Sequence, residues 1–154
     1  KGLEPSFKLI RSDVDAYGQP DLLADYHRLP FLPDTFDALV WDPPHLEDVG
    51  KNAIMATYNR HATFSVSSSA PMFIPQARRV LKLGGLLLVK VADQVHGGKY
   101  LWQHIKVWAA ACGGGFGGVD CMVRVRQSSP NGNWKRVLHT RSAHCYWLAF
   151  VRQV

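Results

Sequence analysis

The sequence predicts an α/β fold, a mostly parallel sheet flanked by helices, on three observations. First, Phe36-Asp37-Ala38-Leu39-Val40-Trp41-Asp42-Pro43-Pro44-His45 is an apolar run cut off by an acid and two prolines. Proline lacks the N–H that a ladder needs and fixes φ at about −65°. The strand must therefore end at Asp42 and hold its carboxylate at the carboxyl edge of the sheet, where open α/β sheets bind ligands. Second, the strand-like runs before it also end on acids, at Asp13 or Asp15 and at Asp25. Third, a helical stretch, a Gly84-Gly85 stop and the continuous apolar run 86–91 follow one another, as a helix feeding a central parallel strand should.

Taken in order, residues 7–13 read as the first strand, Gly18-Gln19-Pro20 as a turn, and 21–25 as a short second strand. Residues 29–34 are too proline-rich for regular structure and lead into the strand at 37–42. The segment 46–69 is polar and weakly periodic, the pattern of a long mobile loop. A helix is expected over 72–81, stopped by Gly84-Gly85. Tyr100, Leu101, Ile105, Trp108, Ala109 and Cys112 recur at helical spacing, so a second amphipathic helix is expected, broken by glycines in a loop over 113–118. Residues 121–126 alternate as a strand does, 129–133 give a turn, and 145–151 supply a last strand antiparallel to its neighbour.

Composition narrows the function classes. At 154 residues the chain is expected to be one domain over 1–154, with an ordinary apolar fraction of 47%. No apolar stretch is long enough to span a bilayer, and no secretory leader is expected. Cys112, Cys121 and Cys145 are an odd count without metal-ligand spacing, so they are expected to be buried free thiols of a cytoplasmic protein. His27, His61, His96 and His104 show no metal-ligand spacing either, and no metal is expected. The net charge of +6 favours a polyanionic partner. Ten of the twelve acids lie before position 50, whereas basic residues gather after 120. Arg124, Arg126, Lys135, Arg136 and Arg141 bracket the turn with Trp134 among them, which suits phosphate contact plus stacking on a base. A solvated hairpin with a half-buried Trp would show the same pattern.

The Asp42-Pro43-Pro44-His45 run resembles the Asp-Pro-Pro-aromatic motif of S-adenosylmethionine-dependent amino-methyltransferases, with His45 where Tyr, Phe or Trp is usual. The resemblance extends along most of the chain. Ile10-Arg11-Ser12-Asp13-Val14-Asp15 resembles the segment holding the cofactor ribose, and Leu23-Ala24-Asp25-Tyr26 the adenine-side segment. Arg79-Val80-Leu81-Lys82-Leu83-Gly84-Gly85-Leu86 resembles the passage from helix through Leu-Lys-x-Gly-Gly to strand, and His144-Cys145-Tyr146-Trp147-Leu148-Ala149-Phe150 the final strand. Alone, any one of these acids could equally cap a turn or a helix.

The resemblance implies a Rossmann-like methyltransferase sheet, mostly parallel with an antiparallel C-terminal strand. It also implies S-adenosylmethionine as cofactor, held by Asp13, Asp15, Asp25 and Tyr26. Asp42, Pro43, Pro44 and His45 would then be the catalytic set, and an exocyclic amine of a nucleic-acid base the acceptor, with DNA adenine N6 or cytosine N4 preferred. The family's first strand and Gly-x-Gly loop would precede Phe7, where Lys1-Gly2-Leu3-Glu4-Pro5-Ser6 stand. The expectation is a domain whose first strand is missing from this chain. The alternatives are a non-catalytic nucleic-acid-binding module derived from such an enzyme, or a methyltransferase for RNA, protein or a small molecule.

Overall fold

The computed structural model describes residues 8–43, 66–96, 98–125 and 144–154. Strands β1 (Ser12–Asp13) and β2 (Leu22–Leu23) form a short parallel pair. They are followed by β3 (Phe36–Trp41), helix α1 (Val66–Val80) and the long strand β4 (Leu81–Val91). A small antiparallel hairpin, β5 (Gln94–His96) and β6 (Lys99–Leu101), leads into helix α2 (Gln103–Gly113). Strands β7 (Phe116–Val125) and β8 (His144–Arg152) complete the described elements.

The main sheet has the order β3-β4-β8-β7. β3 is parallel to β4, whereas β8 lies antiparallel between β4 and β7. Three of these four strands therefore point one way and β8 points against them. This arrangement brings the end of β3, the end of β4, the start of β8 and the end of β7 to a single edge.

Helix α1 covers one face of the sheet. Val66, Ser69, Ala70, Phe73, Ile74, Ala77 and Val80 recur every three or four residues and are all buried. All but Ser69 pack in one core with Leu87, Val89 and Val91, the alternate residues of β4. Pro71 and Pro75 lie inside α1, where each costs about 3 kcal/mol relative to alanine. Both fall on its exposed side, so burial of the opposite face outweighs them.

Several boundaries differ from the sequence reading, each for a local reason. α1 starts at Val66, six residues before the expected start at 72, because its apolar stripe already begins there. It ends at Val80, and Gly84-Gly85 form an irregularity within β4 rather than a helix stop. The register jumps from Phe36↔Leu81 to Ala38↔Leu86. Gly84 takes φ 76°, and a Cβ on Gly85 would lie 2.8 Å from the Lys82 carbonyl oxygen, so side chains are disfavoured at both.

Tyr100 and Leu101 belong to β6, and the buried face of α2 is Gln103, Val107 and Ala111 rather than the expected stripe. Gln103 is buried because its Oε1 accepts the Ser67 backbone N–H at 3.1 Å, serving the first turn of α1. β7 begins at Phe116, so Phe116-Gly117-Gly118 pair with β8 instead of forming a loop. β1 is confined to Ser12–Asp13 within the longer run expected. Of the three free cysteines only Cys145 is buried; Cys112 and Cys121 are exposed.

Candidate active site

Asp42 is the first residue past β3. Trp41 pairs with Val89, so Asp42 comes beside Lys90 of β4. The Lys90 ammonium donates to Asp42 Oδ2 at 2.7 Å, and it also lies over the Trp147 ring, 5.9 Å from the centroid. The Asp42 side chain remains 45% exposed, so the carboxylate held by Lys90 is reachable from solvent. Pro43 is buried. Pro44, His45 and most of the expected 46–69 loop lie outside the described residues.

Trp41 anchors this strand end from below. Its ring stacks on Phe73 of α1 at 4.0 Å and 21°, and Tyr26 approaches it at 5.6 Å. The Tyr26 hydroxyl is hydrogen-bonded to Ser69 Oγ of α1 at 3.2 Å. Tyr26, expected on the cofactor side, is thus brought to the end of β3. The Trp41 indole Nε1 is buried with no hydrogen-bond partner among the described residues. A buried donor left in that state is costly unless a bound group accepts from it.

The other acids also stand at strand ends, each in a tight turn. Asp13 closes β1, and its carboxylate accepts the Asp15 backbone N–H at 3.0 Å. Asp15 accepts from the Tyr17 N–H at 2.9 Å. Asp25 accepts from the His27 N–H at 2.8 Å and pairs with His27 Nδ1 at 3.1 Å. The Ala24 N–H donates to the Asp13 carbonyl at 2.8 Å, which sets the ends of β1 and β2 side by side. These turns are what isolated aspartates do, yet a carboxylate accepts more hydrogen bonds than each turn uses.

One further acid carries no expectation from the sequence. Asp93 follows β4 by two residues, the same strand-then-acid pattern as the others, and its side chain is wholly buried. It accepts from the His104 backbone N–H at 3.1 Å, from His104 Nδ1 at 2.8 Å and from the Tyr100 hydroxyl at 3.4 Å. The His104 ring lies on Tyr146 at 4.1 Å and 19°, and the Tyr146 hydroxyl is 2.9 Å from His144 Nε2. Partial burial, and then the nearby Asp93 carboxylate, hold the Tyr146 hydroxyl above its usual pKa. Lys90 was equally absent from the expected site, since one lysine in an apolar strand carries no signal without the pairing register.

Of the expected nucleic-acid contacts, Arg124 is exposed near the end of β7, opposite Cys145. Arg126, Trp134, Lys135, Arg136 and Arg141 lie outside the described residues. Among the described residues no cluster of His, Cys, Asp and Glu could hold a metal ion, and no helix is long and apolar enough to cross a membrane.

No protein-family model and no curated protein matches the sequence. Solved structures do match the fold. One is a protein of Thermus thermophilus named for DNA modification methylase, in complex with S-adenosyl-L-methionine, at TM-score 0.54 and 15% identity, covering 81% of this chain and 51% of that one. Another is the PvuII DNA methyltransferase (cytosine-N4-specific), at TM-score 0.56 and 15% identity, covering 79% of this chain and 44% of that one. A third is the [4+2]-cyclase SpnF, at TM-score 0.52 and 15% identity, covering 90% of this chain and 58% of that one. The chain spans about half the length of the methylases it matches. These likenesses show the fold alone, a mixed α/β arrangement around a central sheet that this chain shares with the two methylases and the cyclase, and a shared fold does not decide the reaction.

Proposed function

We propose that this chain carries the catalytic edge of an S-adenosylmethionine-dependent methyltransferase acting on an exocyclic amine of a nucleic-acid base, with DNA adenine N6 or cytosine N4 preferred. The observation that carries the reading is Asp42: a carboxylate one residue past a strand, pinned by Lys90 and followed by a buried Pro43 at which the ladder has ended.

An exocyclic amine is a poor nucleophile because its lone pair is delocalised into the ring. Asp42 and the Pro43 carbonyl each accept one amine N–H, which favours tetrahedral geometry at nitrogen and localises the lone pair. Lys90 fixes the carboxylate through Oδ2, and a carboxylate carries acceptor sites on both oxygens. Pro44 and His45 complete the catalytic set, His45 as a stacking or hydrogen-bonding face for the base. Rate enhancement comes from positioning and from charge already in place.

The residues present fit the cofactor. Carboxylates at Asp13, Asp15 and Asp25 suit ribose hydroxyls and an adenine amino group, and the Trp41 Nε1 donor beside Tyr26 calls for an acceptor. S-adenosylmethionine supplies an electrophilic methyl on a sulfonium. Arg124, with Arg126, Trp134, Lys135, Arg136 and Arg141, would contact the nucleic acid, in line with the basic charge of the chain.

Equilibrium titration with S-adenosylmethionine tests the reading against a non-catalytic nucleic-acid-binding module. Saturable binding that weakens in Asp25→Ala supports the enzyme. Oligonucleotide binding without any cofactor binding supports the module.

A further inference from the structure

We propose that Trp102 and the rings behind it form a second base-stacking site, which takes an unpaired base of single-stranded DNA. The proposal rests on the nucleic-acid reading for its ligand class, but not on methyl transfer.

The site is built from a buried carboxylate outward. A buried charge is costly unless it is paired and hydrogen-bonded, and Asp93, with none of its side chain exposed, spends its bonds on ordering aromatic residues. It fixes the His104 ring through Nδ1 at 2.8 Å and reaches the Tyr100 hydroxyl at 3.4 Å. His104 lies flat on Tyr146, whose hydroxyl meets His144. Trp102 closes the array, 4.7 Å from the Tyr100 centroid and 6.1 Å from that of His104. It is 54% exposed, a large indole held against fixed rings at the start of α2.

Rings ordered before binding lose little freedom when a base stacks on them. The array stands just past β4, the strand beside the one that delivers Asp42, at the edge where this fold receives ligands. Charge favours a polyanion there. Asp42 is paired with Lys90, Asp93 is wholly buried, and Lys99, Lys106 and Arg124 are exposed on β6, α2 and β7. Exposed indole next to basic residues is the combination that holds single strands, because every unpaired base offers a π face. A paired base in duplex DNA does not.

The test compares the full chain with Trp102→Ala and Trp102→Phe, by fluorescence anisotropy, on a mixed-sequence single-stranded DNA oligonucleotide, the same oligonucleotide as a duplex, and heparin as a polyanion without bases. Trp102→Ala should weaken the single strand roughly ten- to a hundredfold, the range one base–aromatic stack is worth, and leave heparin and duplex unchanged. Trp102→Phe should keep most of the affinity while losing the share of oligonucleotide-induced indole quenching that Trp102 contributes, leaving any from Trp134. Unchanged single-strand affinity in Trp102→Ala, equal losses for heparin, or full quenching in Trp102→Phe would each overturn the proposal. Trp102-dependent binding in a protein that transfers no methyl group would sink the proposed enzyme and leave this site standing. Methyl transfer with Trp102-independent binding would do the reverse.

Discussion

A methyl group added at Gly118 should destabilise the protein through one aromatic ring. Gly118 pairs with the fully buried Phe150 of β8, and Trp108 of α2 lies over both, 4.9 Å from the Phe150 ring. A Cβ on Gly118 would overlap the Trp108 indole, with Cη2 and Cε2 at 2.7 and 2.9 Å. The indole is rigid and backed by the core, so α2 must retreat from the sheet. Overpacking of this kind costs about 1–3 kcal/mol. For a domain of this size 1 kcal/mol is about 2–4 °C in Tm, so Gly118→Ala should lower Tm by roughly 2–12 °C. The cause is separable by a double-mutant cycle read from urea midpoints. In a Trp108→Leu background the added methyl has room, and Gly118→Ala should be neutral or stabilising by up to about 1 kcal/mol, through lost freedom of the unfolded chain. An equal penalty in both backgrounds would refute the packing argument.

Lys90→Met should leave the urea midpoint nearly unchanged, because a partly exposed pair is worth about 0.2–1 kcal/mol. In a methyl-transfer assay the same variant should slow turnover up to about a hundredfold, since Asp42 loses its positioning partner. Tyr146 binds its proton more tightly in the folded state than in the unfolded one. Its contribution is therefore complete below the unfolded tyrosine pKa of about 10 and is lost as pH rises through the folded value. Tyr146→Phe should flatten the alkaline limb of stability against pH, measured by denaturant titration. Lys135→Ala with Arg136→Ala should weaken binding to all DNA sequences alike and flatten the salt dependence by about one to two units, measured by titration at several salt concentrations.

What was legible in the sequence was the set of strand ends. Asp-Pro-Pro stops a ladder by covalent geometry, so the end of β3, expected at Asp42 and found one residue earlier at Trp41, could be read without any tertiary knowledge. The run at 86–91 was legible as a central strand from its unbroken apolar character; both of its edges are paired, and Leu87, Val89 and Val91 are buried on one face. The helices were less so. α2 buries Gln103, a polar residue whose partner is the backbone of another helix, and it exposes Ile105, so periodicity pointed to the wrong face. α1 carries Pro71 and Pro75, which local propensity rejects and tertiary burial of the opposite face permits. Lys90 became part of the site only through the Trp41↔Val89 register. Asp93 repeats the acid-after-strand pattern and was accessible from sequence, but its link to His104, Tyr100 and Tyr146 depends on how β5, β6 and β8 fold back.

The most direct test of the central claim is transfer of a labelled methyl group from S-adenosylmethionine to oligonucleotides, comparing the parent chain with Asp42→Ala. The account predicts label on adenine N6 or cytosine N4 with the parent, and a loss of about two to three powers of ten in rate with the variant, as for removal of a group that acts in the transition state. Label on those nitrogens at the parental rate in Asp42→Ala would contradict it.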